Sequence, residues 1–398
     1  MSTLIIDDTT VAVKAESTEG TYAPPTGATD GYVEALKGVE MNPSRALVER
    51  NIMARGLAKA TPRLSIKAGA AKIGVELKGS GTEGSAPDYA PTLEALFGTV
   101  RTVATTTTTK ASGNTASSLK IEDADITKFT LGDIFVVKET GNYHIAAVGA
   151  ITGGAGTWAI TPTPICPFTP SNSVVISKSK TYVVADSGHP SLSIHTYWGD
   201  GFLEKMAGCR PSSMTLGNFK TGQIPTLEFN YEAMKYDRTA STAPGYTPTY
   251  SAALPAVALD AKVYQDGTEI SVDEVSITWE QVIGFLTATG DSNGRTAGRV
   301  SGKRNIRGSF APYAANDSIA NFTAFNTLND FSLFLRIFNP SSVSGEFELG
   351  SVIGIWLPSC ILTSNKVADQ EGVVVERWEF MATGGTTGAS KEIYMGFI

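Results

Sequence analysis

Apolar and polar residues alternate along much of the chain in short runs punctuated by turn residues, the signature of strands with one buried and one wet face. LSIKAGAAKIGVELKGS, residues 64–80, is one such run, and Leu64, Ile66, Ile73, Val75 and Leu77 are expected on one face of it. Gly79–Ser85 breaks the pattern, and TLEALFG closes it as a short helix with Gly98 as its stop. A second helix-like run is SIANFTAFNTL, residues 318–328. The first thirty residues end in YAPPTGATDG and read as a polar, extended arm before a first strand near Tyr32–Met41. NPSRALVERNIMARGLAKATPR, residues 42–63, holds no steady period and is rich in charge.

The pattern changes near Val100, where TTTTTKASGNTASS introduces short strands separated by Gly-Asp, Gly-Gly and Pro turns. Residues 101–185 are therefore expected to form an inserted small β domain, because the pattern left at Gly98 resumes at SLSIHTYWGDGFLEKMAGC. An internal repeat is also expected. PSSMTLGNFKTGQIPTLEFNYEAMKY (211–236) and PSCILTSNKVADQEGVVVERWEFMAT (358–383) share a plan, and upstream of each lies a strand, a long charged excursion, a returning strand and a helix. The division that follows is a discontinuous first unit (1–100 with 186–240), the insert, a Pro-rich linker (241–256) and a second unit (257–398).

A chain of 398 residues is long enough for such an arrangement. The net charge of -7 lacks the basic footprint of a nucleic-acid binder. Cys166, Cys209 and Cys360 are too few and too scattered for a disulfide framework. The start of the chain has no secretory pattern and no run reaches the ~20 apolar residues of a membrane span, so folding in a cytosol without a membrane partner is expected.

Candidate chemistry is weak throughout. His144, His189 and His195 lack metal-ligand spacing. Ser187 in DSGHP lacks the glycines of a nucleophile elbow, so a hydrolase is not favoured. GRVSGKR (298–304) misses the first glycine of a phosphate loop, and Lys128 stands where a calcium loop through Asp123, Asp125 and Asp133 needs glycine. No catalytic, metal or cofactor site is expected.

Two charged excursions remain. One carries Arg45, Glu49, Arg50, Arg55, Lys59 and Arg63, and the other Asp291, Arg295, Arg299, Lys303, Arg304 and Arg307. Neither interleaves aromatic residues for stacking on bases. A structureless loop of ~15 residues is usually functional or disordered, and a lone two-stranded arm is marginally stable, so docking on a neighbouring subunit would order both.

The ordered series of these elements resembles the tail tube (major tail) proteins of long-tailed bacteriophages. The features are KAESTEGT at Lys14–Thr21, a strand running into a long loop over Val39–Arg63, and the Gly-Ser-Gly-x-x-Gly turn and helix of Leu77–Gly98. IHTYWGDGFLEKMAGCRPSSMTLGNFKTGQIPTLEFNYEA adds an Asp-Gly hairpin, an Ala-Gly-Cys-Arg turn and a Gly-Gln-Ile-Pro strand start. The likeness is stronger over the first half than over residues 257–398. It implies a mainly β fold: two tandem tail-tube-like β-sandwich or barrel domains, each with a short flanking helix, plus the inserted small β domain. It further implies rings that stack into a hollow virion tail tube, assembled in the host cytoplasm, with the excursions as inter-ring arms. Implied partners are copies of the chain, the tape measure, tail terminator and distal tail proteins, and genomic DNA passing without specific binding. Most relatives are one tube domain long, so two fused units would close a pseudo-sixfold ring with three chains. A mildly acidic protein implies a negative bore, with arm arginines kept off the DNA. The competing reading is a receptor- or carbohydrate-binding β-sandwich at a tail tip, which would cluster exposed aromatics. The five tryptophans are dispersed instead.

Overall fold

The computed structural model describes residues 8–50, 52, 61–240, 244–289, 294–313, 318–370, 373–385 and 391–398. Strands dominate. The first stretch holds β1 (Thr9–Ala15), β2 (Tyr32–Val33), β3 (Glu40–Val48), β4 (Arg63–Glu76), helix α1 (Ala90–Phe97) and β5 (Gly98–Val103). Next come the short strands β6 (Thr107–Thr108), β7 (Leu119–Lys120), β8 (Ile134–Glu139), β9 (Asn142–Thr152), β10 (Ala159–Thr163) and β11 (Val175–Ile176). The chain returns through β12 (Ser179–Val184), β13 (Leu192–Trp198), β14 (Phe202–Lys220), β15 (Thr226–Ala233) and β16 (Lys235–Ala240). Its last third holds β17 (Lys262–Gln265), β18 (Thr268–Ile270), β19 (Val272–Leu286), β20 (Ala297–Pro312), helix α2 (Ser318–Thr327), β21 (Phe331–Ile337), β22 (Ile353–Gln370), β23 (Val373–Ala382) and β24 (Tyr394–Phe397).

Eight long strands form the backbone of the molecule, hydrogen-bonded in the order β3-β4-β15-β14-β19-β20-β23-β22, every pair antiparallel. Alternation along each strand divides this sheet into two faces. The inward face carries rows such as Ile73, Phe229, Met214, Trp279 and Ile306, directly opposite one another across five strands and each at most 2% exposed. Helix α1 packs into this core through Leu93, Leu96 and Phe97, and Gly98 ends it in the left-handed conformation with φ 86°, which favours glycine. The starts of β14 and β22 bend away from the eight-stranded sheet into flanking layers: β14 pairs there with β13 and β16, and β22 with β21 and β24. The result is a β-sandwich whose core is shared by both halves.

β6–β11 form a separate six-stranded sheet within residues 107–176. The runs IFVV and IAAV in it are apolar without alternation because both faces are covered. Phe135, Val137, Ala146 and Val148 fill the small sheet's own core, while Ile134, Val136, Ile145 and Ala147 pack on Phe334, Trp356 and Tyr394 of the second half. β5 and β12, on either side of it in sequence, pair with each other, and β12 pairs with β24 of the main body.

Some local expectations are corrected. The N-terminal arm contains β1, paired with β13 along its whole length, with Val11 and Val13 buried. Part of the first excursion is strand: β3 lies against β4 from Glu40 to Val48. The second excursion becomes strand at Ala297, so Arg299, Lys303 and Arg304 stand on β20. Ile66 does not share a face with Ile73 and Val75, since it stands an odd number of positions from each and the ladder with β3 runs without a shift from Lys67 to Lys72.

Candidate functional site

The outward face of the eight-stranded sheet is polar across both halves. Glu40, Lys72, Asn230, Ser213, Glu280 and Asn305 stand opposite one another from β3 to β20, and Gly74, Glu228, Thr215, Thr278, Arg307 and Met381 form the next row. None of them is buried. Cations on this face are neutralised in place: Lys72 meets Glu228 at 2.9 Å, Arg307 meets Glu280 at 2.8 Å and Arg377 meets Glu274 at 3.4 Å. Glu76, Glu232 and Glu379 leave the face acidic, while Lys366 lies further out beside the β22–β23 turn. Ser276, Thr278, Asn305 and Ser309 line a shallow, open depression in it. Such a surface offers short hydroxyls, amides and paired charges, and in its central rows no free cation for a polyanion to grip.

Across residues 7–382 the chain matches the family described as Phage tail tube protein. The chain belongs to that family. A search of curated proteins finds no match. As a tail tube protein it is a structural component of the virion tail, and its extended surfaces, more than any pocket, are the functional candidates.

In this tail tube protein the predicted arm residues divide into four groups. Arg45, Arg50 and Arg63 are exposed on the β3–β4 hairpin, where Glu49 is also exposed and engaged by a neighbour. Arg55, Lys59 and Asp291 lie outside the described residues, and Arg307, expected on an arm, instead stands on the outward face of the sheet paired with Glu280. On the second excursion only Lys303 is exposed without an ion pair among the described residues. Arg295 donates to the Ala233 carbonyl at 2.9 Å and sits over the Phe285 ring, Arg299 pairs with Glu19 at 3.2 Å, and Arg304 is held by Asp186 at 3.0 Å and Glu392 at 3.3 Å. These three brace the root of the second hairpin against the body.

That bracing explains KAESTEGT. The Glu16 carboxylate accepts from Gly20 N, Gly208 N and Ser191 Oγ, each at 2.7 Å. Glu19 accepts from Gly298 N at 2.7 Å and Arg210 Nη2 at 2.9 Å. Burial works to raise the Glu19 pKa, but the N–H and guanidinium donors outweigh it and hold the carboxylate below its ordinary value. Sequence reading picked out this motif without its role, because its partners lie on β14 and β20. The Gly-Ser-Gly turn after β4 joins the halves as well. A Cβ on Gly79 would stand 1.9 Å from the Gly350 carbonyl, and Gly81 N donates to that same oxygen at 3.0 Å.

The rejected chemistry has structural explanations. His189 lies with its ring nitrogens 3.0 and 3.1 Å from the carbonyls of Ala95 and Ala185. Asp123 accepts from Gly156 N, Asp125 pairs with Lys128, and Asp133 with Arg101. No group of metal-binding side chains occurs among the described residues. Trp279, Trp356 and Trp378 are buried.

His144 fastens the small sheet to the second half. Its Nδ1 accepts from Arg336 Nη1 at 3.0 Å, and its Nε2–H donates to the Pro164 carbonyl at 2.9 Å. Burial and then the Arg336 charge oppose protonation, lowering its pKa from 6.5 to about 4; His195, buried near Lys205, is lowered likewise. A depressed histidine contributes stability that is complete above pH 6.5 and is lost as pH falls towards about 4. Each is worth roughly 3 kcal/mol over that window. Thermal unfolding followed by circular dichroism should therefore show the melting temperature falling over this range. His144→Gln, which keeps an acceptor and a donor but cannot titrate, should remove about half of the fall. An unchanged pH slope in the variant would contradict the assignment.

Proposed function

We propose that this tail tube protein closes with copies of itself into rings that stack into a hollow tube for genome passage, with the polar face of the eight-stranded sheet lining the bore. The observation that carries the reading is the two-sidedness of that sheet: one face is core, the other is acidic with its central cations paired, and among the described residues β3 and the far half of β22 have no further strand beside them. The proposed organisation is two tube-like units, residues 1–100 with 186–240 and residues 257–398, with residues 101–185 inserted into the first. Three chains bring twenty-four strands, which at ~4.8 Å apart measure about 115 Å round and leave a backbone diameter of about 37 Å before strand tilt widens it. Two chains leave a bore of about 24 Å between backbones, too narrow for a duplex once side chains are added.

The β3–β4 hairpin carries the exposed arginines and serves as the main inter-ring arm, with the second hairpin and Lys303 as its counterpart. The small sheet packs on the flanking layers, away from the polar face, and decorates the outside. Tape measure, terminator and distal tail proteins are the further partners of such a tube. A carbohydrate-binding tip protein would need an exposed aromatic platform, which burial of Trp279, Trp356 and Trp378 does not supply. Electron microscopy of the purified chain at rising concentration tests the reading. Uniform hollow cylinders with threefold or pseudo-sixfold cross-sections are expected, and dispersed single particles at every concentration would overturn it.

A further inference from the structure

We propose that a second copy of this chain docks edge to edge, its β3 against residues 361–370 of β22, in the register of the chain's own β14–β19 seam. The proposal rests on the ring reading above and specifies its interface.

The eight-stranded sheet is two copies of one four-stranded pattern, β3-β4-β15-β14 followed by β19-β20-β23-β22. Its rungs correspond: Met41, Ala71, Tyr231 and Pro211 lie opposite one another in the first pattern as Ile277, Gly308, Phe380 and Leu362 do in the second. The irregularities correspond too. β14 shifts register between Pro211 and Ser213, and β22 between Leu362 and Ser364, immediately beyond matching rungs.

Inside the chain the last strand of the first pattern already meets the first strand of the second. Along this seam Met214 stands opposite Trp279, Thr215 opposite Thr278 and Leu216 opposite Ile277. At the outer ends the same two edges have no occupant: among the described residues β3 pairs only with β4, and β22 beyond Cys360 pairs only with β23. Burial reports the difference. Leu216 is 1% exposed, and Val367, which takes its place in the second pattern, is 61% exposed. Leu47 and Val48 at one end and Val373 and Val374 at the other are also at least half exposed.

Carrying the internal register outward sets Val367 opposite Met41, Lys366 opposite Asn42 and Asn365 opposite Pro43 of the second copy. Lys366 then lies diagonal to Glu40, ~7–8 Å between backbones, within reach of its long side chain. Pro43 offers no N–H to the ladder, which blunts the bare edge of a lone copy and leaves the external seam weaker than the internal one.

Cysteine trapping in the full chain tests this. The three native cysteines are buried, so background is low. Asn42→Cys with Lys366→Cys should give covalent oligomers up to a closed ring on oxidation of assembled protein, and neither single variant should exceed a dimer. A parallel sample treated with a short bifunctional maleimide captures the pair even where disulfide torsion is unfavourable. Asn42→Cys with Ser364→Cys, shifted by two residues, should cross-link at least several-fold less. Tubes that cross-link better in the shifted pair, or in neither, overturn this interface while leaving the ring reading intact. If even the unmodified chain forms no rings or tubes, the ring reading fails and this proposal fails with it.

Discussion

Replacing residues 49–62 with Asn-Gly is expected to give a folded subunit that still forms rings but no tubes. Val48 and Arg63 are directly opposed at the end of the β3–β4 ladder, so a two-residue type I′ turn can close the hairpin without disturbing the strands below. The change removes Arg50 and the positions of Arg55 and Lys59 while leaving Glu40–Val48 in the sheet. The inward face of the sheet is untouched, so the melting temperature should stay within a few degrees of the parent. Micrographs and light scattering should show nothing longer than a single ring. Normal tubes from this variant would remove the first hairpin from the inter-ring contact.

The largest effect on stability is expected from Trp279→Ala. Trp279 is 0% exposed, stands between Met214 and Ile306 at the seam of the two halves, and meets the Phe97 ring edge-on at 4.8 Å between centroids. Truncating it leaves a cavity that backbone from both halves prevents from collapsing, costing about 3–5 kcal/mol. Its indole N–H has no hydrogen-bond partner among the described residues, so Trp279→Phe loses volume but no bond and should cost about 1.5 kcal/mol or less. Denaturant midpoints for the two variants give the comparison directly. A cost below about 1 kcal/mol for the alanine variant would mean that the halves are not held together through this core.

Much of this architecture could be read from the sequence because a sheet wet on one side writes its period of two into the residues. The strand–helix unit ending at Gly98 was visible for that reason, and so was the rise and fall of the last hairpin. Contacts between distant positions were not visible. The hydrogen bond from Gly298 to Glu19 spans 279 residues, and nothing local marks either end. The strand in residues 297–304 escaped notice because its glycines, Ala297 and Lys303 have low strand propensity, and pairing with β19 overrides that preference. Ile66 misled because it stands seven positions before Ile73, and an odd offset reverses the face on a strand of period two. The polar face itself is a property of eight strands from both halves laid side by side, and no single run of sequence contains it.

The unequal character of the two seams shapes how such a filament would fail. A joint built around Trp279 is interior to one polypeptide, whereas in the proposed ring its counterpart between polypeptides would have Pro43 and a valine that is solvent-facing in the single chain in the matching places. Under bending or pressure the wall would part once per molecule, never through the middle of one. Fracture fragments would therefore be whole subunits able to re-anneal.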